Sequence, residues 1–120
     1  MAYVREKKTD KYEVGTVVIA DGESLSDAFP VGGKRLVFIE VPAITSATLS
    51  FKVQIMDDED FQDFYDETGA EITVGSAFTG ARTFLIPQLA GVRAVKVRSG
   101  TTGSPVTQSG GDTLRLSAVD

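Results

Sequence analysis

From Ala47 to Ile55 the chain alternates without a break: Ala47, Leu49, Phe51, Val53 and Ile55 are apolar, and the interleaved Thr48, Ser50, Lys52 and Gln54 are polar. Successive side chains of a strand point to opposite faces, whereas a helix repeats about every 3.6 residues, so this pattern fits a strand and no helix. It predicts one buried and one solvated face, as in an antiparallel sheet laid on a core.

Shorter stretches repeat the theme. Thr16 to Ala20 is a β-branched run closed by the turn dipeptide Asp21-Gly22. Ser24 to Phe29 has mixed polarity before Pro30 and reads as a loop or poor edge strand, because proline cannot donate to a ladder. Lys34 to Val41 carries Val37, Ile39 and Val41 on one side and Leu36 and Phe38 on the other, which predicts a strand that is central or covered on its second face. Strands are also expected over Phe61 to Asp66, Ala70 to Val74, Arg82 to Ile86, Val92 to Arg98 and Asp112 to Ala118. Ser99 to Gly111, rich in Gly, Ser and Thr, is the longest irregular stretch, and loops of that length are usually functional or mobile.

Eight or nine short strands with no sustained helical period imply an all-β, single-domain antiparallel β-sandwich, jelly-roll-like, with an immunoglobulin-like topology as the alternative. The expected organisation is an extended, charged N-terminal arm over residues 1–14 and a sandwich over residues 15–120. At 120 residues, one domain can bury roughly two thirds of its unfolded surface.

Composition removes several function classes. There is no Cys and no His, which takes away disulfides, thiolate nucleophiles and the commonest general base and metal ligand. A serine or threonine nucleophile would need a Lys or carboxylate partner, and no local motif nominates one. Gly32-Gly33-Lys34-Arg35 lacks the upstream Gly and the following Ser or Thr of a phosphate loop, so it reads as a turn. A net charge of −5 argues against a nucleic-acid grip. Residues 1–11 hold no apolar run of signal-peptide length, and nothing approaches the ~20 apolar residues of a membrane span, so a soluble chain made without Sec export is expected. No catalytic residue, cofactor or metal site is assigned.

Charge patterning supplies the contact candidates. Asp57-Asp58-Glu59-Asp60 opens an acidic run that continues through Asp63, Asp66, Glu67 and Glu71 with no Lys or Arg among them. Such carboxylates suit calcium, but the Gly and the spacing of an EF-hand loop are missing, and a solvated turn or contact surface is the better reading. From Ile72 to Gly111 every charged residue is basic: Arg82, Arg93, Lys96 and Arg98. These patches could meet across a subunit contact or pair within one chain. The candidate partner-contact residues are Tyr3, Arg5, Lys7, Lys8, Lys11 and Tyr12 in the arm, Asp57, Asp58, Glu59 and Asp60 in the corner, and Arg93, Lys96 and Arg98. A sugar site would want exposed aromatic rings, for which Tyr3, Tyr65 and Phe78 are the candidates, Trp being absent.

As an ordered set, several segments resemble small virion proteins of tailed phages and prophages. They are Ala47-Thr48-Leu49-Ser50-Phe51-Lys52-Val53-Gln54, Phe61-Gln62-Asp63-Phe64-Tyr65-Asp66-Glu67-Thr68-Gly69, Val92-Arg93-Ala94-Val95-Lys96-Val97-Arg98-Ser99-Gly100 and Thr101-Thr102-Gly103-Ser104-Pro105-Val106-Thr107-Gln108, with the last strand. The resemblance spans roughly residues 31–119 and departs at Asp57 to Asp60, where similar sequences carry a Ser-x-Asp-Gly turn. It implies a β-sandwich in the virion, a capsid decoration or minor head protein without catalysis. Its expected partners are the major capsid protein, other virion subunits or further copies of itself. A glycan- or receptor-binding module of a head, neck or tail fibre is the alternative.

Overall fold

The computed structural model describes residues 12–42, 44, 48–56, 60–75 and 81–120. Among these residues eight strands are present: β1 (Tyr12–Ile19), β2 (Leu25–Pro30), β3 (Leu36–Val41), β4 (Leu49–Gln54), β5 (Gln62–Asp63), β6 (Arg82–Leu85), β7 (Ala94–Ser99) and β8 (Asp112–Val119). A 3-10 turn, Pro87–Leu89, fills the gap between β6 and β7 and drops Leu89 into the core. Among the described residues no helix is long and apolar enough to cross a membrane.

The strands form two four-stranded sheets, β1-β8-β3-β6 and β2-β7-β4-β5. The first strand pairs with the eighth, the second with the seventh, the third with the sixth and the fourth with the fifth, all antiparallel. The chain is thus one long hairpin with its tip at β4–β5, rolled up so that β3 also meets β8 and β4 also meets β7. That is the jelly-roll connectivity, which satisfies most strand edges by wrapping.

Inward-facing positions follow the alternation of the sequence. Val17 and Ile19 on β1, Val37, Ile39 and Val41 on β3, Leu49, Phe51 and Val53 on β4, Val95 and Val97 on β7, and Leu114, Leu116 and Ala118 on β8 make one core between the sheets. Each large side chain so buried contributes about 1.5–3 kcal/mol by removing apolar surface from water.

The structure amends three expectations and decides between two alternatives in a fourth. Strand β1 starts at Tyr12 and pairs Tyr12, Glu13 and Val14 with Val119, Ala118 and Ser117, so the sheet takes the last three residues assigned to the arm. Of the two readings of residues 24–29, the edge strand holds: β2 lies at the edge of the second sheet, with Pro30 at its last position, where a missing N–H is tolerated. A bulge between Leu25 and Ala28 disturbs its ladder. There Ser26 Oγ accepts a 2.9 Å hydrogen bond from the Val97 N–H, satisfying a donor the bulge would strand. Residues 70–74 are no strand, only isolated bridges Tyr65–Glu71 and Leu49–Val74. Ile55, expected on the core face of β4, is 61% exposed. The β4–β7 ladder ends at Gln54–Ala94 and the chain bends away there, so the alternation no longer points inward.

Candidate interaction surface

With the core between them, the sheets present two outer faces. On the second sheet, Ser50 and Lys52 of β4 and Lys96 and Arg98 of β7 point outward, and the register sets Lys52 opposite Lys96 and Ser50 opposite Arg98. Like charges directly opposed are unfavourable. Lys52 therefore leans to Asp63 on β5 (Nζ to Oδ1, 3.5 Å), while Lys96 Nζ lies 4.8 Å above the Phe61 ring centre.

Arg98 is drawn inside. It is only 6% exposed, covered by the segment after β5 and by the loop after β7. Its Nη2 donates to Asp63 Oδ1 at 2.6 Å, and its Nη1 donates to Glu71 Oε2 at 3.3 Å, Thr102 Oγ1 at 2.8 Å and Ser50 Oγ at 3.1 Å. Glu71 also accepts from the Thr102 hydroxyl at 2.6 Å and its N–H at 3.1 Å. Ser50 in turn donates to the Gly100 carbonyl at 2.8 Å. A buried guanidinium needs such full pairing.

The electrostatics follow from these contacts. The hydrogen bond from Arg98 holds the Asp63 carboxyl below its ordinary value of 3.8; partial burial opposes this and the Lys52 charge reinforces it. Asp66, accepting from the Thr68 hydroxyl and from the N–H groups of Ala70 and Thr68, is likewise lowered as it caps the turn into Gly69. Asp112 moves the other way, raised by burial.

The long loop is tied as tightly. Gly100 adopts φ +91°, and a Cβ there would fall 2.7 Å from the Val106 nitrogen and 2.9 Å from Pro105 Cα, besides striking the Ser104 carbonyl. Thr101 and Ser104 exchange backbone hydrogen bonds at 3.2 Å, and Gln108 bonds through its backbone to Gly22 and Glu23 at 2.7 and 2.9 Å. The Ser99 hydroxyl donates to the Val106 carbonyl. Within residues 99–111, Thr102 closes over Arg98 at the second sheet's outer face, and Gln108 and Gly110 tie the far end to residues 21–23.

Among the described residues, nothing is laid over the first sheet's outer face. Register places its side chains in rows that cross all four strands: Val14, Ser117, Phe38 and Leu85 in one, and Thr16, Arg115, Glu40 and Thr83 in the next. Val14 is 67% and Leu85 48% exposed, and the Phe38 ring is half-buried. Arg115 Nε meets Glu40 Oε1 at 3.4 Å, with both side chains largely in solvent. Between the rows lies a shallow concavity of about 440 Å³ lined by both. Its bordering edge strand β1 is guarded at one point, where Asp27 Oδ1 accepts the Val18 N–H at 2.8 Å.

Of the residues nominated by the sequence, Tyr3, Arg5, Lys7, Lys8, Lys11, Asp57, Asp58 and Glu59 lie outside the described residues, as does Phe78. Tyr12 opens β1, its side chain outside the described part. Asp60 and Arg93 are exposed, Lys96 is half-buried against Phe61, Arg98 is interior, and Tyr65 is exposed. Among the described residues no group of three or more acidic side chains is placed to hold a metal ion. The sequence reading did not nominate Val14, Phe38, Glu40, Leu85 or Arg115. The one available signal was β3, whose Leu36 and Phe38 made its second side apolar.

No protein-family model matches the chain, and no curated protein does. Among solved structures, the fold is similar to that of YomS, a protein derived from the SPBc2 prophage: 16% identity and a TM-score of 0.52 over 91% of this chain and 95% of that one. At lower scores it is similar to a protein of the disulfide-linked endospore appendages of Bacillus, with 10% identity and a TM-score of 0.41 over 91% of this chain and 88% of that one. RmlC from Streptococcus suis, in complex with dTDP-D-xylose, gives 11% identity and 0.40 over 99% of this chain and 50% of that one. The last two likenesses are too slight to carry an argument.

Proposed function

We propose that this chain is a non-enzymatic structural subunit of a phage or prophage virion, docking on the capsid shell as a decoration or minor head protein. The observation that carries the reading is the near-full-length fold likeness to a prophage-derived protein, 91% of this chain on 95% of that one. It agrees with the ordered sequence segments that resemble tailed-phage virion proteins. The absence of His and Cys supports a role in contact rather than chemistry. In a repeated lattice, weak contacts suffice, because each added contact acts at high effective concentration.

The test is co-sedimentation of the purified chain with particles assembled without it. Saturable binding is expected, and binding that stays at background at every concentration would remove the reading. A glycan- or receptor-binding module is the second reading, favoured by the exposed ring of Tyr65. A glycan array separates the two: specific sugar binding together with no particle binding selects the second.

A further inference from the structure

The open face of the first sheet is complementary to itself. Consider an axis parallel to the strands, running between β8 and β3 in the plane of that face. A two-fold rotation about it lays β1 over the second copy's β6, and β8 over its β3, with each row on itself. Val14 then covers Leu85, Ser117 receives the Phe38 ring, Thr16 meets Thr83, and Arg115 meets Glu40, in both directions. Large faces small and cation faces anion. Sheets stack this way when their strands are nearly aligned, about 10 Å apart.

Charge favours the same occupant. The chain carries −5, so copies repel in general, yet among the described side chains this face holds one acid and one base, Glu40 and Arg115. Of the six exposed large hydrophobics among the described residues, three, Val14, Val18 and Leu85, also lie on it. We propose that this face is a two-fold contact between copies of the chain, with the Glu40–Arg115 pair exchanged across the axis into a ring of four charges. Four strands about 4.8 Å apart and about 20 Å long give roughly 400 Å² per copy, half the ~800 Å² of a standard interface. The contact is weak in isolation and gains strength where many copies are held together. It stands whether or not the chain belongs to a virion.

The test is sedimentation velocity over a range of concentrations with wild type, Glu40→Arg, Arg115→Glu, their equimolar mixture and the double variant. Both positions are largely exposed, so the variants keep the fold, which circular dichroism verifies. Wild type is expected to associate as concentration rises. Each single variant places like charges across the axis and is expected to lower association more than ~tenfold. The mixture regains it as a one-to-one heterodimer, and the double variant regains it alone. A second readout uses the absence of native cysteine: oxidising Val14→Cys with Leu85→Cys is expected to give a disulfide-linked heterodimer, and neither variant alone a homodimer. A wild type monomeric at millimolar concentration overturns the proposal. So do single variants that associate like wild type, a mixture that stays monomeric, and glycan binding that Arg115→Glu abolishes, which would assign the face to a sugar.

Discussion

The two outer faces of this sandwich hold similar residues and use them in opposite ways. On the second sheet, Arg98 lies within hydrogen-bonding distance of Asp63 and Glu71 and is sealed by the loop after β7. On the first, Arg115 lies 3.4 Å from Glu40 with nothing among the described residues laid over the pair. The same guanidinium–carboxylate chemistry is a structural clasp in one place and surface charge in the other. What differs is the described chain laid over each: the loop after β7 folds back over its own sheet at Thr102, whereas no described segment crosses the Glu40–Arg115 pair.

The sharpest way to break this comparison is at two glycines. Gly100→Ala adds a Cβ into the Ser104–Val106 backbone at a positive φ and is expected to cost about 4 kcal/mol in chemical denaturation, or to prevent folding. Gly15→Ala, on β1, meets only the Phe29 ring at an ordinary 3.5 Å and should change stability by less than about 1 kcal/mol. Comparable losses would mean that the loop does not close the second face as described.

Removing the two arginines comes next in size. Arg98→Met leaves Asp63, Glu71 and Ser50 without their shared donor and should destabilise by about 3 kcal/mol. Arg115→Met removes a solvent-screened pair and should stay within about 0.5 kcal/mol. Urea midpoints of the two variants, taken side by side, decide it.

The smallest effect is in pH. Asp63 has a folded value below its ordinary 3.8, so its contribution is fully present above that value and drains away as pH falls through the folded value. Wild type should therefore lose stability on acidification from about pH 4 downward. Asp63→Asn should lose less over the same window. Equal slopes for Asp63→Asn and wild type would take Asp63 out of the clasp.

Much of this scaffold can be read from alternation alone, because Leu49, Phe51 and Val53 or Leu114, Leu116 and Ala118 mark their inward face through local geometry. The strand order cannot, since it depends on pairings such as Tyr12 with Val119 that join the ends of the chain. Arg98 is the instructive case. Its position in β7 is an outward one, and local pattern makes it a surface cation. It is buried because Glu71 and Thr102, from two other segments, close over it. The opposed acidic and basic runs did hint at such pairing within one chain, and for Asp63, Glu71 and Arg98 that is what the fold does with them. The open face is illegible in the sequence for the converse reason: Val14, Ser117, Phe38 and Leu85 come from four strands and form a row only after the sheet is assembled.

The proposal that this is a repeated virion subunit is tested most directly by quantitative mass spectrometry of purified particles from a host carrying the gene. The expected result is the chain present in a fixed, multiple ratio to the major shell protein, retained through density-gradient purification. Its absence from intact particles that are otherwise complete would contradict the account.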